Sequence, residues 1–156
     1  VLALEEDVLL QLLLDLVQTF LETALVETRL EPSDGEAARP PHRVAGWLPP
    51  KRSENEPLPP YLIIRPTKGR DEEDGARIEV QLCLETFSED ADGWRDLTNV
   101  IQRVRSALTA TRTLGPFHLE LPLQWQLFDE QPLPQWGAIL TTTWTQLSTQ
   151  WLGETD

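Results

Sequence analysis

The chain has 156 residues, 40% of them apolar, and a formal net charge of −13. That length suits one domain with one core. The acidity excludes non-specific binding to nucleic acid or to anionic membranes, which needs clustered Lys and Arg where this chain scatters only a few.

Residues 4–27 are expected to form a first helix. Glu5, Glu6 and Asp7 favour its N-terminal end, where the macrodipole is positive. Asp7, Gln11, Asp15, Gln18 and Glu22 fall on one narrow stripe. Leu9, Leu10, Leu12, Leu13, Leu14, Leu16, Val17, Phe20, Leu21 and Ala24 cover the remainder, an arc of roughly 200°. A helix lying on one sheet needs little more than about 100° of apolar arc, so the excess calls for a second covering surface. The longest apolar run, Val8 to Leu16, is broken by Gln11 and Asp15 and falls short of the roughly 20 residues that cross a bilayer. No membrane partner is expected. A secretory signal, with its basic start and small-residue cleavage site, is not expected either. A chain that begins at Val1 and holds no Met is expected to be part of a longer translation product.

Residues 31–58 are rich in Pro, Gly and charge and read as a long arm, with a short extended piece near Arg43–Leu48. Trp47 within it implies that part of the arm docks onto something. Tyr61–Arg65 reads as a short strand ended by Pro66, and 68–75 as a charged hairpin tip. Arg77–Phe87 is the clearest strand. Ile78, Val80, Leu82 and Leu84 alternate with Arg77, Glu79, Gln81, Cys83 and Glu85.

Asp90 or Asp92 is placed to cap a second helix that runs to about Arg112. Its apolar positions, Trp94, Leu97, Val100, Ile101, Val104, Ala107 and Leu108, make an ordinary one-sided face. Leu114-Gly115-Pro116 stops it. Phe117–Phe128 alternates as a strand, with Pro122 demanding an edge or a bulge. Trp136–Leu147, rich in Thr and Trp, reads as the last strand. The tail after Trp151 is expected to be loose. The expected fold class is one α+β domain over 1–156: a largely antiparallel sheet of four to five strands with two helices packed on one face.

Candidate chemistry is sparse. His42 and His118 lack ligand spacing to each other or to Cys83. Cys83, the only cysteine, cannot close an internal disulfide, which fits a reducing compartment. It also has no neighbouring base that would make it a nucleophile. Asp71-Glu72-Glu73-Asp74-Gly75 lacks the alternating ligand spacing of a calcium loop. Glu79, Glu85 and Glu120 alternate with core-facing rows and belong on a solvated or partner-facing side, not in a buried acid–base pair. No phosphate loop, serine elbow or zinc spacing is present. No catalytic, cofactor or metal residue is therefore assigned, and a non-enzymatic role is expected. The six tryptophans carry more information. Trp94 and Trp125 are assigned to the core. Trp47, Trp136 and Trp144, with Leu10, Leu14, Val17 and Leu21 of the first helix, are the candidate interface.

The run Pro59-Pro60-Tyr61-Leu62-Ile63-Ile64-Arg65-Pro66 opens a longer series. It continues through Arg77–Phe87 and Ser88-Glu89-Asp90-Ala91-Asp92-Gly93-Trp94-Arg95-Asp96-Leu97. It closes with Trp125-Gln126-Leu127, Gln131-Pro132-Leu133-Pro134-Gln135-Trp136 and Thr141-Thr142-Thr143-Trp144. Over roughly residues 59–150 this order resembles small prophage proteins of the siphophage neck, the tail terminator or tail completion class. The resemblance implies a structural virion protein of the tail or neck, assembled in the host bacterial cytoplasm. It implies a ring, usually a hexamer, that caps the tail tube and joins it to the head connector. The partners it implies are further copies of the chain, the tail tube protein and a head connector or completion protein, with DNA only passing through the lumen. An acidic lumen would let DNA slide by repelling phosphate. The competing expectation is a small adaptor module that binds a peptide on a Trp-rich hairpin, by a groove or by strand addition.

Overall fold

The computed structural model describes residues 2–47 and 59–147, the side chains of 2–8 and of 147 excepted. The elements run α1 (Leu2–Ala24), β1 (His42–Ala45), β2 (Tyr61–Glu72), β3 (Gly75–Phe87), α2 (Trp94–Thr111), β4 (Thr113–Leu114), β5 (Phe117–Leu127) and β6 (Gln135–Leu147). All six strands join one sheet in the order β1-β2-β3-β6-β5-β4. Every neighbouring pair is antiparallel except β1 with β2, which is parallel. The fold is α+β, as the alternation implies. The count of six strands exceeds the expected four to five, because short segments add at both margins. β1 comes from the arm, and β4 is a two-residue strand after α2.

Register sorts the side chains. Leu62 pairs with Leu84 and that with Ala138, and Ile64 pairs with Leu82 and that with Leu140. These rows are fully buried, together with Leu13, Val17, Leu21 and Leu25 of α1 and Leu97, Val100, Ile101, Val104 and Leu108 of α2. One face of the sheet therefore carries both helices. The alternate residues, Glu79, Gln81, Cys83, Ile139, Thr141 and Thr143, lie on the other face and are only partly buried. In the core, Trp144 Nε1 donates to Thr142 Oγ1 at 2.9 Å, and Thr142 Oγ1 donates to the Val80 carbonyl at 2.7 Å. That relay satisfies the polar atoms that burial would otherwise penalise.

Three boundaries differ from the sequence reading. Pro66 does not end β2. The pairing slips between Pro66 and Lys68 and then continues to Glu72, so the tip expected over 68–75 narrows to a turn at Glu73-Asp74. Proline removes one ladder donor, and a register shift at that point lets the ladder resume. α2 starts without a side-chain cap, at Gly93, and neither Asp90 nor Asp92 supplies one. A Cβ at Gly93 would collide with the Trp136 indole, so close packing takes the cap position instead. The 31–58 arm is not free over its described part. Ser33 N donates to Pro59 O and His42 N to Pro60 O, each at 3.0 Å, and β1 adds to the sheet. Residues 48–58 and the tail after Trp151 lie outside the described residues. The bulge expected at Pro122 is present as a register shift between Glu120 and Gln124.

The two-faced sheet makes a quantitative statement. Leu82→Ala is expected to cost about 2–5 kcal/mol of unfolding free energy, read as a lower urea midpoint at unchanged slope. Gln81→Ala, one residue away on the other face, is expected to stay within about 0.5 kcal/mol of the parent.

Candidate protein-protein interface

The residues first assigned to an interface separate into two groups. Val17 and Leu21 on α1 and Trp144 on β6 are 1%, 0% and 1% exposed, so they are core and not contact surface. Leu14, Leu16 and Phe20 pack against the same core from its margin. The wide arc of α1 finds cover inside its own subunit. The helix contacts β1 and β2 as well as α2 and β4. At the turn between β4 and β5, a Cβ at Gly115 would stand 2.9 Å from Leu16 Cδ1. Among the described side chains, from Leu9 onward, what α1 leaves outside is small: Leu12 is 38% exposed. Leu10 is half-buried and lines, with Leu9, Ile78 and the hairpin backbone, an open groove of about 410 Å³. Trp136 is also structural. Its ring abuts Gly93 and its Nε1 donates to Ser88 O at 3.1 Å.

Trp47 stays at the surface, 61% exposed. Gly46, at φ 89°, turns the chain out at the end of β1 and leaves Trp47 projecting. Two tryptophans assigned to the core, Trp94 and Trp125, are instead 41% and 46% exposed. Among the described residues, each of the three exposed indoles carries a guanidinium over its ring. Arg65 lies 4.9 Å from the Trp47 centroid, Arg95 4.7 Å from Trp94 and Arg105 5.7 Å from Trp125. Such stacking orders a large aromatic that solvent would otherwise surround. Tryptophan and arginine are also the residue types that dominate interface energetics. The sequence carried a signal for one pair, because Arg95 directly follows Trp94. Trp125 does share the strand face of Leu119, as alternation requires. It pairs with Leu140 past the Pro122 shift, at the margin of the helical layer, where Arg105 reaches over it. Leu121, 52% exposed, extends the same margin.

The open face is polar and hydrogen-bonded. Glu79 accepts from Thr67 Oγ1 at 2.6 Å, Glu120 from Thr145 Oγ1 at 3.1 Å, and Glu85 from the Tyr61 hydroxyl. Glu79 and Glu120 both pair with Thr143 from opposite sides. Their backbones are thus two strand spacings apart, about 9.5 Å, and the three carboxylates do not form a shared site. Burial raises the Cys83 thiol above its ordinary pKa, with Arg65 opposing and Glu85 assisting. Burial lowers His42, helped by Arg39 and Arg43 against Asp34, and His118 sits near Thr113 Oγ1 at 3.4 Å. At the hairpin tip Glu72 is held by Arg70 at 2.6 Å and Arg77 at 3.9 Å. Along β5 an open groove of about 750 Å³ sets the amides of Gln81, Gln124 and Gln126 and the Thr141 hydroxyl beside Trp125, Phe128 and Ile139. A mixed lining of this kind suits an amphipathic contact in which water bridges the polar groups.

Among the described residues, the outer side of β2 beyond Ile64 and the outer side of β5 beyond Glu120 have no strand neighbour. Both stretches contain a register shift at a proline, Pro66 in one and Pro122 in the other. Proline and bulges blunt an edge against strand addition. These margins therefore offer side chains to a partner and not a backbone ladder.

Two measurements check these placements. Leu21→Glu is expected to abolish folding, whereas Leu12→Glu leaves the unfolding free energy within about 0.5 kcal/mol of the parent. Alkylation of Cys83 by iodoacetamide between pH 7 and 9 is expected to lag well behind that of the urea-unfolded chain, because the raised pKa leaves less thiolate in the fold.

No helix among the described residues is long and apolar enough to cross a membrane. Comparison with protein-family models finds no match, and comparison with curated proteins finds no significant relative.

Proposed function

We propose that this chain is a non-enzymatic structural subunit of a homomeric ring, a hexamer, that caps the tail tube of a tailed bacteriophage and joins it to the head connector. The observation that carries the reading is the placement of two exposed, arginine-stacked tryptophans at opposite margins of one sheet. Trp47 stands at the β1–β2 margin and Trp125 at the β5 margin, while Trp94 opens α2 beside Gly93, which packs on Trp136 of β6. A protein that binds copies of itself head to tail needs two different surfaces, and repeated rotation closes them into a ring. The order of sequence features over roughly residues 59–150 supports the tail-terminator assignment. The formal charge of −13 supports a lumen through which DNA passes without adhering. In this reading the subunit assembles in the host cytoplasm and resides in the virion neck. The adaptor alternative uses the Trp-rich last hairpin as a groove or an edge. There Trp144 is buried and Trp136 is packed on Gly93, which leaves Trp125 as its exposed indole, and the ring is the reading we put forward.

Negative-stain micrographs and sedimentation velocity of the purified protein test it. Closed rings are expected, and adding the protein to polymerising tail tube protein is expected to stop tube growth. Monomers at every concentration, with tubes growing undisturbed, would overturn the proposal. Trp125→Ser is expected to keep the parent circular dichroism while raising the half-assembly concentration by roughly 30-fold, the equivalent of about 2 kcal/mol.

A further inference from the structure

The ring reading leaves open which surfaces meet, and the sheet register answers this. β2 runs antiparallel to β3, β3 to β6 and β6 to β5, so β2 and β5 point in opposite directions at the two margins. Rotation about an axis along the strands brings β5 of one copy beside β2 of the next without reversing either. The same operation keeps each residue at its own height. Residues that occupy one row at opposite margins of a subunit are then the residues that face each other between subunits.

The rows can be read directly. Lys68 pairs with Glu79, Glu79 with Thr143 and Thr143 with Glu120. Lys68 and Glu120 thus end the same row, on the same open face. Arg65 pairs with Gln81, Gln81 with Thr141 and Thr141 with Gln124. That row sets Arg65 and its Trp47 against Gln124 on the open face, while Trp125 turns to the helical face under Arg105. The charge follows the same division. Segments 42–47 and 59–72 hold Arg43, Arg65, Lys68 and Arg70 against Asp71 and Glu72. Segment 117–130 holds Glu120, Asp129 and Glu130 and no Lys or Arg of its own, and α2 and its C-cap bring Arg105 over Trp125 and Arg112 onto the Leu119 carbonyl.

We infer that the partner of the β1–β2 margin is the β5 margin of a second copy of this chain, with Lys68 of one subunit facing Glu120 of the next and Arg65, with Trp47 stacked on it, meeting Gln124 beside that pair. Pro66 and Pro122 keep the two edges from zipping as strands, so the contact is made by side chains. The inference rests on the ring reading and adds its orientation: one margin engages only the opposite margin.

A charge exchange tests it by sedimentation equilibrium of the whole chain. Lys68→Glu and Glu120→Lys, made singly, each place like charges in contact and are expected to raise the half-assembly concentration at least about tenfold. The double variant restores the opposite pair and is expected to return within about threefold of the parent. Circular dichroism reports that each variant is folded. In a Cys83→Ser background, Lys68→Cys combined with Glu120→Cys is expected to give an oxidised ladder that ends at the ring number. If the parent forms rings but both single variants assemble like it, or the ladder stops at dimers, the assigned contact is wrong while the ring stands. A parent that never leaves the monomer overturns both.

Discussion

The uninterrupted pairing of β3 with β6 governs everything else in this molecule. It runs from Gly75↔Leu147 to Phe87↔Gln135 without a register shift. Side chains alternate across a strand with period two, so a slip of one residue would exchange the two faces. It would bring Glu79, Gln81 and Thr141 under the helices and send Leu82 and Leu140 into solvent. The Trp144–Thr142–Val80 relay pins the same register from inside, because its hydroxyl and indole find partners only in this alignment. The helical layer, the polar face and the two margins are consequences of that alignment.

Much of this was legible in the sequence, and the reasons for the rest are physical. β3 and β6 read well because one face is buried and the other wet, which writes a clean alternation into Ile78–Leu84 and Ala138–Trp144. α2 read well because its burial is one-sided: Leu97, Val100, Ile101, Val104 and Leu108 are the buried set. α1 was misjudged because angular width on a wheel does not say how many neighbours wrap the helix. Here β1, β2, α2 and β4 all touch it, so an arc that seemed to require a foreign partner is mostly closed at home. The tryptophans were misassigned because composition treats all indoles alike. Trp144 sits under the helical layer, while Trp94 and Trp125 stand at its rim, and that difference depends on where the layer ends in three dimensions.

The margins decide how the subunit meets others. The open face presents hydroxyls, amides and carboxylates already engaged with one another, which suits reversible contact. Trp47 and Trp125 stand at opposite margins of the sheet and Trp94 at the start of α2, each steadied by an arginine of the same chain. An anchor ordered before binding loses less freedom when a partner arrives, so a modest contact can still be specific. Two unlike margins on one small domain favour closed rotational assembly over a pairwise one.

Pro66 and Pro122 carry a further consequence. A subunit with two sheet margins could in principle stack indefinitely, edge upon edge, into a fibril whose backbone ladder never closes. Each proline interrupts that ladder on its own strand, so a growing stack would meet a defect at every junction. In the proposed ring, the number of copies that join would then be limited by curvature and side-chain fit, and free copies would be protected from irreversible polymerisation.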